Sequence, residues 1–189
     1  MNEITYLNNQ FLIAMPNLAD PNFFHSVTLM CQHNEEGALG ITINRPGDLK
    51  LEDIFQQMDL QPVNPETNKI PIFYGGPVQQ DRGFIIHSRE QDRKWDSTVA
   101  VSETLSLTTS KDILEAIAHD EGPNNFLVAL GYAGWGLGQL EEEIVANSWL
   151  HTTCDDQIIF GTPVGQRWNA AAGQLGVDIS TLTIPAGHG

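Results

Sequence analysis

Residues Phe126 to Val145 read FLVALGYAGWGLGQLEEEIV, an apolar run that passes through a glycine-rich junction into an acidic segment. Phe126 to Gly131 is apolar at consecutive positions, so a strand there has no solvent face and belongs at the centre of a sheet. Leu137, Leu140 and Ile144 recur at helical spacing and predict a helix that buries this stripe. Gly131, Gly134, Gly136 and Gly138 crowd the junction, a context in which glycines can cradle phosphate. The pattern fails in detail. GWGLGQ puts Gln139 where the dinucleotide fingerprint needs a small residue, and neither GxxxxGK[ST] nor GxSxG occurs. Glu141, Glu142 and Glu143 already complement the positive end of the helix and would repel an anion. The glycines are therefore expected to permit tight turning and close packing beside Trp135.

Working outward, Phe11 to Met15 reads as a short strand, and Pro16 and Pro21 mark a loop after it. Val27 to His33 and Ala38 to Asn44 read as a hairpin. With Glu35, Glu36 and Gly37 as its loop and Gly37 left-handed, Leu29 faces Ile43, Cys31 faces Ile41 and His33 faces Leu39. Asp48 is the expected cap of a helix over Leu51 to Met58. Ile70 to Tyr74 is a strand ended by Gly75-Gly76-Pro77. Arg82 to Ser88 is a strand buried on both faces, Arg89 to Asp96 a surface loop and Thr98 to Val101 a short strand. Thr109 with Asp112 resembles a capping box opening a helix over Ser110 to His119. Asn147 to Leu150 is a further strand, and Ile158 to Phe160 is apolar with no clear period. Thr162-Pro163 opens a helix marked by Trp168, Ala171, Ala172 and Leu175.

The chain has 189 residues, enough for one core. It carries 24 acidic against 9 basic residues, and after Lys111 the only Lys or Arg is Arg167. This balance argues against direct nucleic-acid binding, which draws on cations that neutralise phosphates. The sequence has no run of roughly 18 apolar residues and no signal-peptide pattern, which predicts a cytoplasmic protein without a membrane segment. Cys31 and Cys154 have no metal-ligand spacing, and no two of the six histidines are spaced as in HExxH, so neither a metal nor a cofactor is indicated.

Candidate chemistry is sparse. Cys31 and His33 lie two apart on a strand and share a face, which permits a thiol–imidazole dyad, although Cys31 sits in the apolar row. Asn44, Arg45 and Arg82 lie beside turns; the two arginines either bind a carboxylate or phosphate through their planar forks or pair with internal acids such as Asp81. No catalytic set is legible.

FLIAMPNLADPNF (11–23), HNEEGALGITINRP (33–46), YGGPVQQDRGFIIH (74–87) and LGYAGWGLGQLEEEI (130–144) followed by NSWL resemble the successive motifs of the bacterial AlgH/YqgE family. The similarity runs from Phe11 to the C-terminal GHG. It implies a cytosolic, single α+β domain spanning 1–189, with a mixed, partly barrel-like β-sheet flanked by helices and with residues 1–10 expected to be disordered. Proteins of this family are often labelled transcriptional regulators, and no molecular activity carries over. The expectation is a noncatalytic regulatory module that binds a small ligand or a protein partner. Its polar pocket would be drawn from Asn44, Arg45, Gly76, Arg82, His87, Tyr132, Trp135 and Gln139. The alternatives are an enzyme assembled only in the fold, with His87 or His33 as general base, and a direct DNA regulator, which the charge disfavours.

Overall fold

The strand that opens at Phe126 lies in the middle of the sheet and has pairing partners along both of its edges. The computed structural model describes residues 6–90 and 93–182. Within them the strands are β1 (Gln10–Ala14), β2 (Val27–Asn34), β3 (Gly37–Thr42), β4 (Pro46–Lys50), β5 (Pro71–Tyr74), β6 (Val78–Ser88), β7 (Thr98–Ala100), β8 (Leu105–Thr108), β9 (Phe126–Trp135) and β10 (Trp149–Thr153). The α-helices are α1 (Leu51–Gln57), α2 (Asp112–Ala118), α3 (Gln139–Val145), α4 (Asp156–Phe160) and α5 (Arg167–Gly173). The sheet runs β10-β1-β2-β3-β9-β6-β8-β7, with β5 pairing β9 in parallel and β4 pairing β5. It curls into an antiparallel half-barrel with this one parallel pairing, which is the single α+β domain with a mixed, partly barrel-like sheet that the family resemblance implied.

β9 is longer than expected, because Tyr132 to Trp135 also belong to the strand and only Gly136-Leu137-Gly138 turns. One edge of β9 is shared. Ala129 and Leu130 pair with β5, and Ala133 to Trp135 pair with β3. Gly75 bridges the change of partner, its N–H donating to Leu130 O at 2.8 Å and its carbonyl accepting from Thr42 N at 2.9 Å. At this point Gly131 has φ +78°, and a Cβ there would lie 2.3 Å from Gly76 O. A Cβ on Gly76 would meet the Tyr132 carbonyl carbon at 2.0 Å, so two backbones touch where side chains would hold them apart. The left-handed residue also resets the alternation. Leu127 and Ala129 enter the inner core with Phe11, Leu29 and Trp168, and Tyr132 packs against that same core. Val128 faces the helices α1 and α2, while Ala133 and Trp135 pack near α3.

The β2–β3 hairpin departs from its expected register. Its loop has two residues, and Leu29 pairs Ile41, Gln32 pairs Leu39 and His33 pairs Ala38, with an irregularity between Met30 and Gln32 that leaves Cys31 as the extra residue. The bulge keeps Cys31 in the inner core and turns His33 to the other face, toward Tyr6 and Glu141. This removes the shared face that the dyad needed, and burial pushes the Cys31 thiol up to about 12. Other elements correct the sequence reading in smaller ways. β4 and β8 were not foreseen, Lys50 rather than Asp48 precedes α1, and Lys111 rather than Thr109 precedes α2. Leu137 is 79% exposed, leaving Leu140 and Ile144 to pack α3, and Leu175 is exposed beyond α5. Ile158 to Phe160 is helical. Of the N-terminal segment, residues 1–5 lie outside the described residues, while Leu7 is buried and its N–H donates to His33 Nδ1 at 2.9 Å. The C-terminal GHG also lies outside them.

Two histidines belong to the frame. His33 is buried, accepts the Leu7 N–H on Nδ1 and so carries its proton on Nε2, which donates to Glu141. His87 is buried with the opposite tautomer: Nδ1–H donates to Ser88 O at 3.0 Å, and Nε2 accepts from the Thr108 hydroxyl at 2.7 Å. Burial holds the His87 imidazole below its ordinary pKa, against opposing contributions from Ser88 and Glu90.

Gly131→Ala and Gly76→Ala should each cost about 3 kcal/mol or more, measured by urea unfolding, because backbone atoms occupy the Cβ position. For His87, the folded pKa is depressed, so the unfolded state binds more protons below about pH 6.5. Its contribution is complete above that pH and is lost as pH falls through the folded pKa. Between pH 8 and 5.5, His87→Gln should therefore show a shallower loss of stability than the native chain in urea unfolding; equal slopes would contradict a buried neutral imidazole.

Candidate functional site

The candidate ligand-binding residues do not converge on one pocket. Asn44, at the end of β3, holds the hairpin to the preceding loop: its Oδ1 accepts from Val27 N and its Nδ2 donates to His25 O, both at 2.9 Å. Arg45 is spent on backbone. Its guanidinium donates to the carbonyls of Pro21, Asn22 and Phe24, which takes up its planar fork. Gly76 serves the β9 contact and His87 is enclosed. Trp135 is buried with Nε1 donating to Glu143 at 3.2 Å, and Trp149 donates to the same carboxylate oxygen at 3.0 Å. Gln139 completes this set, its Oε1 accepting from Gly136 N and its Nε2 donating to Glu143 Oε2, both at 3.0 Å. The glutamates after the turn are thus internal acceptors: Glu141 takes His33 and Glu143 takes two indoles and an amide.

Tyr132 and Trp135 do reach a common concavity of about 430 Å³, with Gln32, Asn34 and Glu36 on its walls. Arg82 reaches a different and larger one. Residues Gln79 to Arg82 are looped out of β6, because Val78 pairs Tyr132 and Gly83 pairs Leu130 with the register broken between. The loop carries Gln79 at φ 48°, an uncommon conformation for a residue with a side chain. It forms one rim of a cleft of about 970 Å³, whose other walls are α1 and α2. Ile54 of α1, Met58 just after it, Leu114 of α2, and Ile85 and Leu130 of the sheet give it an apolar floor. Thr109, Ser110 and Lys111 stand at the α2 end with Arg82, and Asp53 and Asp81 also reach the cleft.

Sequence reasoning singled out Arg82 but missed the cleft. The missing signal is Gly83. A Cβ at Gly83 would meet no heavy atom within 4 Å, and its backbone does not lie in the left-handed region. It differs in both respects from Gly131, and it sits between Ile85 and the looped-out segment, where it leaves the floor open. A glycine inside a strand weakens it and often marks the close approach of another group.

The electrostatics of the cleft are uneven. Arg82 is exposed; its guanidinium makes two long hydrogen bonds of 3.4 Å, to Gln79 Oε1 and Thr109 Oγ1, and lies 5.5 Å from the centroid of the Phe84 ring. Lys111 is exposed, and neither cation forms a salt bridge among the described residues. Asp53 is engaged, its Oδ2 accepting from Lys50 N at 2.8 Å. No group of three or more His, Cys, Asp or Glu side chains able to hold a metal occurs among the described residues. Nor is any helix among them long and apolar enough to cross a membrane.

Comparison with known proteins assigns the family. The AlgH-like family model matches residues 11–180. A UPF0301 protein of Methylococcus capsulatus is 58% identical over 187 residues, covering 99% of this chain and 98% of that protein. A UPF0301 protein of Thioalkalivibrio sulfidiphilus is 57% identical, covering 95% of each. The solution structure of the AlgH protein from Pseudomonas aeruginosa superposes with a TM-score of 0.80 at 46% identity, covering 100% of this chain and 99% of that one. A Corynebacterium diphtheriae protein shares the fold at 18% identity, with a TM-score of 0.71 over 98% of this chain and 92% of that one. This chain belongs to the AlgH-like family.

Proposed function

We propose that the chain is a noncatalytic regulatory module of the cytoplasm that takes a small ligand in the cleft between α1, α2 and the looped-out segment of β6. The observation that carries this reading is Gly83. A Cβ at Gly83 would meet no heavy atom within 4 Å, and Gly83 lines the cleft beside Ile85 and Leu130, so a larger side chain there would take up space in the cleft. The cleft's size is at the upper end of the range for small-molecule sites, roughly 300–1,000 Å³, and its apolar floor with a few polar groups at the rim is the usual composition of such a site.

The enzyme reading loses the bases it relied on. His33 and His87 are both about 2% exposed, and each ring nitrogen already has a partner inside the fold. The reading as a direct DNA regulator finds no support in charge. The net charge is −15, and Arg167, the one Lys or Arg after Lys111, is buried with its guanidinium on Ile43 O and Thr162 O.

A thermal-shift screen against a broad metabolite panel, run in parallel on the native chain and on Gly83→Leu, tests the proposal. The variant should keep the native melting temperature to within a few degrees, because the added side chain enters open space. A ligand at a hundredfold excess over its dissociation constant should stabilise the native chain by about 2.7 kcal/mol and leave Gly83→Leu unmoved. Compounds that stabilise both proteins equally would place the ligand elsewhere.

A further inference from the structure

We infer that the ligand of this cleft is a small amphipathic anion, an apolar body carrying a single carboxylate at one end. The inference rests on the cleft being the ligand site and adds what the site recognises.

The chain has 9 Lys and Arg against 24 Asp and Glu, so a cation has many carboxylates available to pair with. Arg82 and Lys111 nevertheless face the same end of one cleft without an acidic partner. Arg82 is tied by a weak contact to Thr109, two residues before Lys111, which sets the guanidinium beside the ammonium-bearing wall. Three other arginines hold main chain more fully: Arg45 donates to three carbonyls, Arg93 to Glu90 and to the carbonyls of Glu121 and Gly122, and Arg167 to Thr162 O and Ile43 O, while Arg89 donates to Ser102 O. A guanidinium whose fork has only two long contacts keeps donors for an incoming carboxylate, which it can grip with two parallel bonds.

The remaining lining sets the rest of the ligand. Ile54, Met58, Ile85, Leu114 and Leu130 offer no hydrogen bonds and call for a hydrocarbon or aromatic body, and the thioether of Met58 adapts to its shape. Two carboxylates bound the charge of the head. Asp53 is occupied by the Lys50 N–H, while Asp81 is exposed beside Arg82 and repels a second negative charge. The balance favours a carboxylate over a doubly charged phosphate.

The test uses decanoate as the probe, with decanol as the same body without charge, acetate as the head alone and decyl phosphate as the dianionic head, each titrated calorimetrically into the full chain. Decanoate should bind and raise the melting temperature. Decanol, acetate and decyl phosphate should each bind at least about tenfold more weakly. Arg82→Gln and Lys111→Gln should each weaken decanoate by roughly tenfold, the scale of one charge-assisted hydrogen bond. Both residues are exposed, so the variants should melt like the native chain, and Asp81→Asn should bind decanoate more tightly. Decanol binding as tightly as decanoate, or decanoate failing to bind, would overturn the ligand class. A metabolite from the panel that still distinguished native chain from Gly83→Leu would then leave the cleft itself standing. Decanoate binding equally well to Gly83→Leu would overturn both.

Discussion

The contact between Gly131 and Gly76 governs the architecture. β9 must serve β5 along its first half and β3 along its second on the same edge, and the change of partner takes place where Gly75 bonds both Leu130 and Thr42. That exchange requires the Gly75-Gly76 backbone to lie against β9 with no side chain between. The left-handed φ at Gly131 meets this need and shifts which residues face inward. As a result the inner core receives Leu127, Ala129 and Tyr132, while Trp135 goes to the outer cluster with Trp149 and Leu140. On the opposite edge β6 accommodates the same irregularity by looping out Gln79 to Arg82. The cleft is therefore a by-product of how the sheet is joined, with its rim next to the joint.

Most of the polar groups that draw attention in the sequence hold backbone in place. Asn44, His33, His87 and Glu143 satisfy main-chain or indole groups that are wholly or partly buried, whose loss of a partner would cost about 1–3 kcal/mol per group, and Arg45 and Gln139 hold exposed main chain. Arg167 does the same from α5, donating to Ile43 O and lying over the Phe73 ring. Arg82 and Lys111 differ from these in lining the cleft, and among the described residues neither side chain holds a main-chain carbonyl.

The sequence shows the central strand clearly, since six consecutive apolar residues leave a strand no solvent face. Most strand and helix positions were likewise legible from apolar spacing and from proline and glycine punctuation. The hairpin register was not, because a bulge at Cys31 has no residue signature: it is chosen by which residues the inner core can take. β8 was missed because LSLT is short and both its faces are buried. For the site, a place beside a turn singled out Arg82 but gave no reason to link it with Lys111, which is brought near by the β6–β8 pairing and the start of α2. Gly83 was invisible for another reason. A glycine that fills no tight space looks in sequence like one that does, and only coordinates separate it from Gly131.

The most direct measurement of the central claim is a map of backbone amide chemical shifts in the native chain with and without whichever compound raises its melting temperature. The account predicts that the largest changes fall on residues 79–85, on 109–114 and on Leu130, with Met58 across the cleft. Changes concentrated instead at residues 32–39 and 132–135, around the smaller concavity beside Tyr132 and Trp135, would contradict it.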